Sequence, residues 1–65
     1  SFHEYLTLAR MREAAHLLKD ANLKIYDVAD RVGFNDQRYF SAVFKRYFNV
    51  TPMQYKEQLE EKNEL

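Results

Sequence analysis

Apolar residues recur at helical spacing in four separate stretches of this chain, and each stretch is bounded by residues that start or stop a helix. In the first, Ser1-Phe2-His3-Glu4 has the form of a capping box, a hydroxyl able to accept from the Glu4 amide and a carboxylate able to reach back. A helix is expected over residues 1–20, starting at residue 2. Its apolar positions form two stripes. Phe2, Tyr5, Leu6 and Ala9 share one face, while Leu8, Met11, Ala14, Ala15 and Leu18 share the opposite one. A helix with two apolar faces serves two cores, and nothing before residue 1 covers the first, so an N-terminal neighbour is expected.

Ile25, Val28, Ala29 and Val32 then recur at i, i+3, i+4 and i+7, which predicts a short second helix. Lys24 stands where Ser, Thr or Asp would cap better, a deficit of about 1 kcal/mol. Gly33 falls just past the run, where a left-handed residue ends a helix without Cβ strain. Asn35-Asp36 offers the cap of a third helix over about 36–47, ending at Tyr47 or Phe48. Tyr39, Phe40, Val43, Phe44 and Tyr47 gather on one side of it, and Arg38, Ser41, Ala42 and Lys45 on the other, with Gln37 and Arg46 at the margins. Thr51-Pro52-Met53-Gln54 is a second capping box, with Pro at its favoured first helical position. A last helix over 51–62 carries Tyr55 and Leu59 into a Glu-rich end, Glu57, Glu60, Glu61 and Glu64, expected to fray.

Composition narrows the fold and the chemistry. With 65 residues, one Gly, one Pro and no Cys, the chain has too few turn residues for a sheet protein and neither disulfides nor thiolate metal ligands to support a small core. The fold expected is all-α in a single domain. The formal net charge of zero hides an asymmetry: residues 1–56 hold nine Lys and Arg against six Asp and Glu, and the excess of acid lies in the last nine residues. No apolar run approaches the ~20 residues of a membrane span, and no leader pattern opens the chain, so a soluble cytoplasmic protein without a membrane partner is expected. His3 and His16 are far apart and lack a second ligand at i+3 or i+4, which argues against a metal site. There is no nucleophile with a base and no Gly-rich phosphate loop, so neither enzymatic activity nor a cofactor is expected. Asp27 and Asp30 instead suit the start of the second helix or pairing with Arg31. The ten Phe and Tyr residues fall at helical spacing, which makes Phe34, Phe40, Phe44 and Phe48 core rather than stacking platforms.

A short helix, a Gly turn and a helix with one core face and one acid-free face is the pattern of a helix-turn-helix. A helix entering the major groove keeps carboxylates off its leading face, where they would approach phosphates, and carries donors and small residues near its first turns. Gln37 and Arg38 are such donors, Ser41 and Ala42 permit close approach, and Lys45 and Arg46 stand one to two turns later. The layout Thr51-Pro52-Met53-Gln54-Tyr55 also echoes Ser1-Phe2-His3-Glu4-Tyr5 at an offset of fifty, which suggests that Ser1 follows an earlier copy of the unit at residues 25–55.

These residues carry a resemblance. Ile25-Tyr26-Asp27-Val28-Ala29, Val32-Gly33-Phe34-Asn35-Asp36, Tyr39-Phe40-Ser41, Phe44-Lys45-Arg46-Tyr47-Phe48 and Thr51-Pro52-Met53-Gln54-Tyr55 closely resemble the second helix-turn-helix of the AraC/XylS family of bacterial transcription regulators. Arg10-Met11, Ala14-Ala15 and Leu17-Leu18 resemble that family's linker helix, so the likeness covers about residues 1–56. It implies an all-α helix-turn-helix fold with a homeodomain-like three-helix core, the helix-turn-helix itself lying over 25–48, a long N-terminal linker helix and a short closing helix. It implies double-stranded DNA as partner, base contacts from Gln37, Arg38 and Ala42, and backbone contacts from Ser41, Lys45 and Arg46, with the amide ends at Asn35, Asp36 and Thr51 as further candidates. Ala42 departs from the Arg that many members carry, leaving an apolar contact with a thymine methyl in place of a polar one. The resemblance also implies a missing first helix-turn-helix, a sensor or receiver domain elsewhere in the protein, and dimerisation through another domain. A different class of function, a protein-interaction or dimerisation module, would use the face of Phe2, Tyr5, Leu6 and Ala9.

Overall fold

The computed structural model describes residues 1–63 as four α-helices in chain order: α1 Phe2–Leu17, α2 Ile25–Arg31, α3 Gln37–Phe48 and α4 Pro52–Asn63. Residues 64–65, with the acid expected at Glu64, lie outside the described residues. Each helix lies within about three residues of its expected bounds. The first is the shortest against expectation, ending at Leu17 where a turn through Lys19 and Asp20 replaces its last residues. The last is helical through Asn63.

Local chemistry sets the bounds. The Ser1 hydroxyl accepts from the Glu4 amide at 3.3 Å, and Glu4 Oε2 lies 3.6 Å from the Ser1 nitrogen. Lys24 supplies no side-chain cap, but Asp27 Oδ2 accepts from the Lys24 amide at 2.9 Å, so half of a capping box offsets the deficit the sequence shows there. Gly33 adopts φ +91°, with its amide donating to Asp30 O at 3.0 Å and the Phe34 amide to Ala29 O at 2.9 Å. Those paired bonds are the Schellman closure that the left-handed residue makes possible. Asn49, at φ 65°, also ends its helix in the left-handed region without being glycine, through a single bond from its amide to Lys45 O at 2.8 Å. At α4 the box is reciprocal: the Thr51 amide donates to Gln54 Oε1 at 2.9 Å and the Gln54 amide to Thr51 Oγ1 at 3.1 Å.

The core forms where α1, α2 and α3 meet. Met11, Ala14 and Leu18 of α1 and its end, Ile25, Val28, Ala29 and Val32, and Phe40, Val43 and Phe44 are buried together. Phe34 and Phe48 are half-buried against them, so all four expected core phenylalanines belong to this cluster. The rings run in sequence along α3, with centroids 6.0 Å apart from Phe40 to Phe44 and 4.5 Å from Phe44 to Phe48, and Tyr55 of α4 closes the row at 5.6 Å from Phe44. Offset and edge-to-face pairs of this kind add about 0.5–1.5 kcal/mol each beyond area burial. On the other apolar face of α1, Phe2 is 79% and Tyr5 70% exposed and Ala9 is exposed too, while Leu6 is half-buried.

Candidate functional site

The three-helix core holds α3 with one face inward and the other free. Phe40, Val43 and Phe44 anchor it, and the helical period then turns Arg38, Ala42, Lys45 and Arg46 outward, with Gln37 at the first turn. All five are exposed, whereas Ser41, expected on the same side, is half-buried at its edge. Tyr39 and Tyr47 fall with the core side by helical spacing, but each carries a hydroxyl to satisfy near the surface, and they are 60% and 39% exposed.

The start of α3 is fixed by Asp36, whose Oδ1 accepts from the amides of Arg38 at 2.9 Å and Tyr39 at 3.3 Å. That carboxylate is committed to the helix end, and no acid follows it within α3. The single ion pair among the described residues lies at Ser1 and Glu4, so Arg38, Lys45 and Arg46 have no carboxylate partner there. Three cations, a small residue and two amide-bearing or hydroxyl side chains therefore share one exposed strip of helix. Asn35 and Asp36 stand at the N-terminal end of the strip. Thr51 is separated from it by Asn49 and Val50; its amide is occupied by Gln54, which leaves the hydroxyl proton free to donate.

Tyr39, which is not among the expected contacts, has an exposed ring that leans on Phe34 at 5.8 Å beside the strip. The signal was its place on the helical wheel, next to Arg46 rather than Phe44 at ~100° per residue.

A family model described as a helix-turn-helix domain matches residues 1–58, nearly the whole chain. The chain belongs to the AraC-type helix-turn-helix family. An uncharacterized HTH-type transcriptional regulator of Escherichia coli K12 is 44% identical over 54 residues, covering 83% of this chain and 19% of the relative. A solved DNA-binding transcriptional dual regulator from Escherichia coli K-12 superposes with a TM-score of 0.92 at 33% identity, covering 94% of this chain and 55% of that one. The C-terminal domain of the two-component response regulator yesN from Fusobacterium nucleatum superposes at 0.82 with 45% identity, covering 86% and 54%. This AraC-type chain thus spans about half of its solved neighbours and between about a fifth and under half of the curated relatives it matches. Those relatives are transcription regulators, a non-enzymatic class. Among the described residues no helix is long and apolar enough to cross a membrane.

Proposed function

We propose that this AraC-type chain binds double-stranded DNA as part of a bacterial transcription regulator, with α3 inserted in the major groove. Gln37 and Arg38 reach base edges from the first turn, and Ala42 one turn later meets a thymine methyl. Ser41, Lys45 and Arg46 hold the backbone, with Asn35, Asp36 and the Thr51 hydroxyl as peripheral contacts. The observation that carries this reading is the exposed strip of α3, where three cations lack any carboxylate partner among the described residues. In water such a strip gains nothing from the fold, whereas against phosphates it releases counterions.

The remainder of the proposal concerns the whole protein. Residues 1–20 act as a linker helix, 25–48 as the second helix-turn-helix and 51–62 as its closing helix. The exposed Phe2 and Tyr5 support a preceding helix-turn-helix packed on the outer face of α1. At about 1.5 Å per residue, the 16 residues of α1 span about 24 Å. With a unit at each end, that length suits two recognition helices about one DNA turn, roughly 34 Å, apart. The small share of each relative that is matched supports further domains, a sensor or a receiver, with dimerisation through one of them and a cytoplasmic setting.

A fluorescence-anisotropy titration against a mixed-sequence duplex at two salt concentrations, paired with Arg38→Glu, tests the interface. Binding that weakens with salt and disappears in the variant is expected. Equal binding by a folded Arg38→Glu chain would remove α3 from the interface.

A further inference from the structure

Among the described residues, one side-chain hydrogen bond joins positions more than four apart in sequence: the Lys56 ammonium donates to the carbonyl of Leu23. Lys56 belongs to the second turn of α4, and Leu23 to the connection just before α2. Its neighbour Tyr55 packs on Phe44 at 5.6 Å and on Phe48 at 5.9 Å. Two consecutive residues therefore dock α4 to two different elements, the C-terminal half of α3 and the approach to α2. The carbonyl concerned is one that no helix satisfies, at a junction otherwise closed by the Leu23 amide on Asp20 O at 3.2 Å and the Lys24 amide on Asp27.

We infer that Lys56 is a positioning residue for DNA binding: through the Leu23 carbonyl it braces the start of α2 against α3, fixing the two helices whose relative placement sets the grip on the groove. This deepens the reading proposed above and rests on it. In a helix-turn-helix the first helix crosses the DNA backbone while the second enters the groove, so a start of α2 that drifts relative to α3 loses one of the two contacts whenever the other is made. The ammonium is suited to the task because it is half-buried and pinned to a carbonyl rather than free to seek phosphates. Its charge also strengthens the bond over a neutral donor.

The test compares Lys56→Met and Lys56→Arg with the unaltered chain in two readouts, amide exchange at Leu23 and Lys24, and duplex affinity across a salt series by anisotropy. Lys56→Met is expected to speed exchange at both amides and to weaken DNA binding on the order of three- to tenfold with the salt slope unchanged, and Lys56→Arg to restore both. A slope lower by about 0.9 in Lys56→Met would make Lys56 a direct phosphate contact and overturn the brace. Unchanged exchange, or unchanged affinity in a chain that binds DNA, would overturn it equally. Should the unaltered, folded chain bind no duplex at all, the DNA reading itself fails and the positioning role falls with it.

Discussion

The guanidinium carbon of Arg10 lies 3.5 Å from where a Cβ on Gly33 would stand, so α1 rests directly on the turn between α2 and α3. That spacing is ordinary van der Waals contact and would admit a methyl group. The obstacle to a side chain is the backbone, because Gly33 sits at φ +91°. A left-handed residue with a Cβ costs about 1–2 kcal/mol. Gly33→Ala is therefore expected to lower the melting temperature by roughly 4–16 °C, taking about 4–8 °C per kcal/mol for a domain this small. Gly33→Asn is expected to lose less, since Asn occupies the same region at position 49 of this chain. Thermal melts followed by far-UV circular dichroism decide it; an Ala variant as stable as the parent would mean the turn tolerates another conformation.

The capping box at the start of α4 is reciprocal, so its two members should not behave independently. Thr51→Ala removes the acceptor for the Gln54 amide and is expected to cost about 1 kcal/mol. Gln54→Ala frees the Thr51 amide at a comparable cost. In the double variant the two losses should sum to more than the measured effect, with a coupling of about 0.5 kcal/mol or more, because each bond orders the partner of the other. Urea denaturation of the four proteins in the cycle measures this, and strict additivity would show the two bonds to be separate.

Most of the fold was legible because its punctuation is chemically explicit. Ser1, Gly33, Asp36 and Thr51 each perform in the structure the boundary role their residue type suggests. Where the sequence was harder to read, the missing part was a side chain's reach rather than its spacing. The start of α2 looks poorly capped at Lys24, yet Asp27, read as suiting that helix end, accepts from the Lys24 amide; the group that spacing could not reveal is Lys56, on the Leu23 carbonyl. Tyr39 and Tyr47 fall on the inward side by spacing, yet their hydroxyl-bearing rings reach the surface, which spacing does not show. The candidate interface, by contrast, was visible in the absence of acid along α3, which composition alone concealed behind a net charge of zero.

Neighbours Phe40 and Tyr39 offer a sharp contrast in stability. Phe40 is fully buried at the centre of the core, and its truncation to Ala is expected to cost about 3–5 kcal/mol. That approaches the whole stability of a domain this size, which at 0.05–0.15 kcal/mol per residue is of the order of 3–10 kcal/mol. Tyr39→Ala forfeits mainly its contact with Phe34, about 0.5–1.5 kcal/mol. Phe40→Ala should thus appear largely unfolded by circular dichroism at 37 °C while Tyr39→Ala retains its helical signal. Comparable spectra for the two variants would refute the assigned core.

Lys45 and Arg38 should separate in DNA binding although both are exposed cations of α3. Lys45→Ala is expected to weaken every duplex alike and reduce the salt slope by about 0.9, the signature of one lost phosphate contact. Arg38→Ala removes a base contact worth about 1–3 kcal/mol and should relax preference at one operator position. Neither change touches a core residue, so melting temperatures should move by less than about 0.5 kcal/mol equivalent. Affinity measured on a panel of single-base variants of a selected duplex distinguishes them, and a uniform loss in Arg38→Ala would move that residue to the backbone set.

Ala42 provides the test of specificity. It is exposed midway along the strip, one helical turn from both Arg38 and Arg46, and it faces solvent with only a methyl group. Ala42→Arg fits without disturbing the core, although like charges four residues apart on a helix oppose each other by about 0.2–0.5 kcal/mol per pair. Against DNA the longer side chain exchanges an apolar contact with a thymine methyl for two donors that match the O6 and N7 of guanine. A side chain that reads a base rather than a phosphate should leave the salt slope nearly unchanged. The informative result is the change in preference: selection from a randomised duplex library with the parent and the variant should exchange thymine for guanine at a single position and leave the positions read by Gln37 and Arg38 unaltered. If the selected sequences coincide while non-specific affinity rises, residue 42 lies over the backbone, and the helix enters the groove rotated from the orientation proposed.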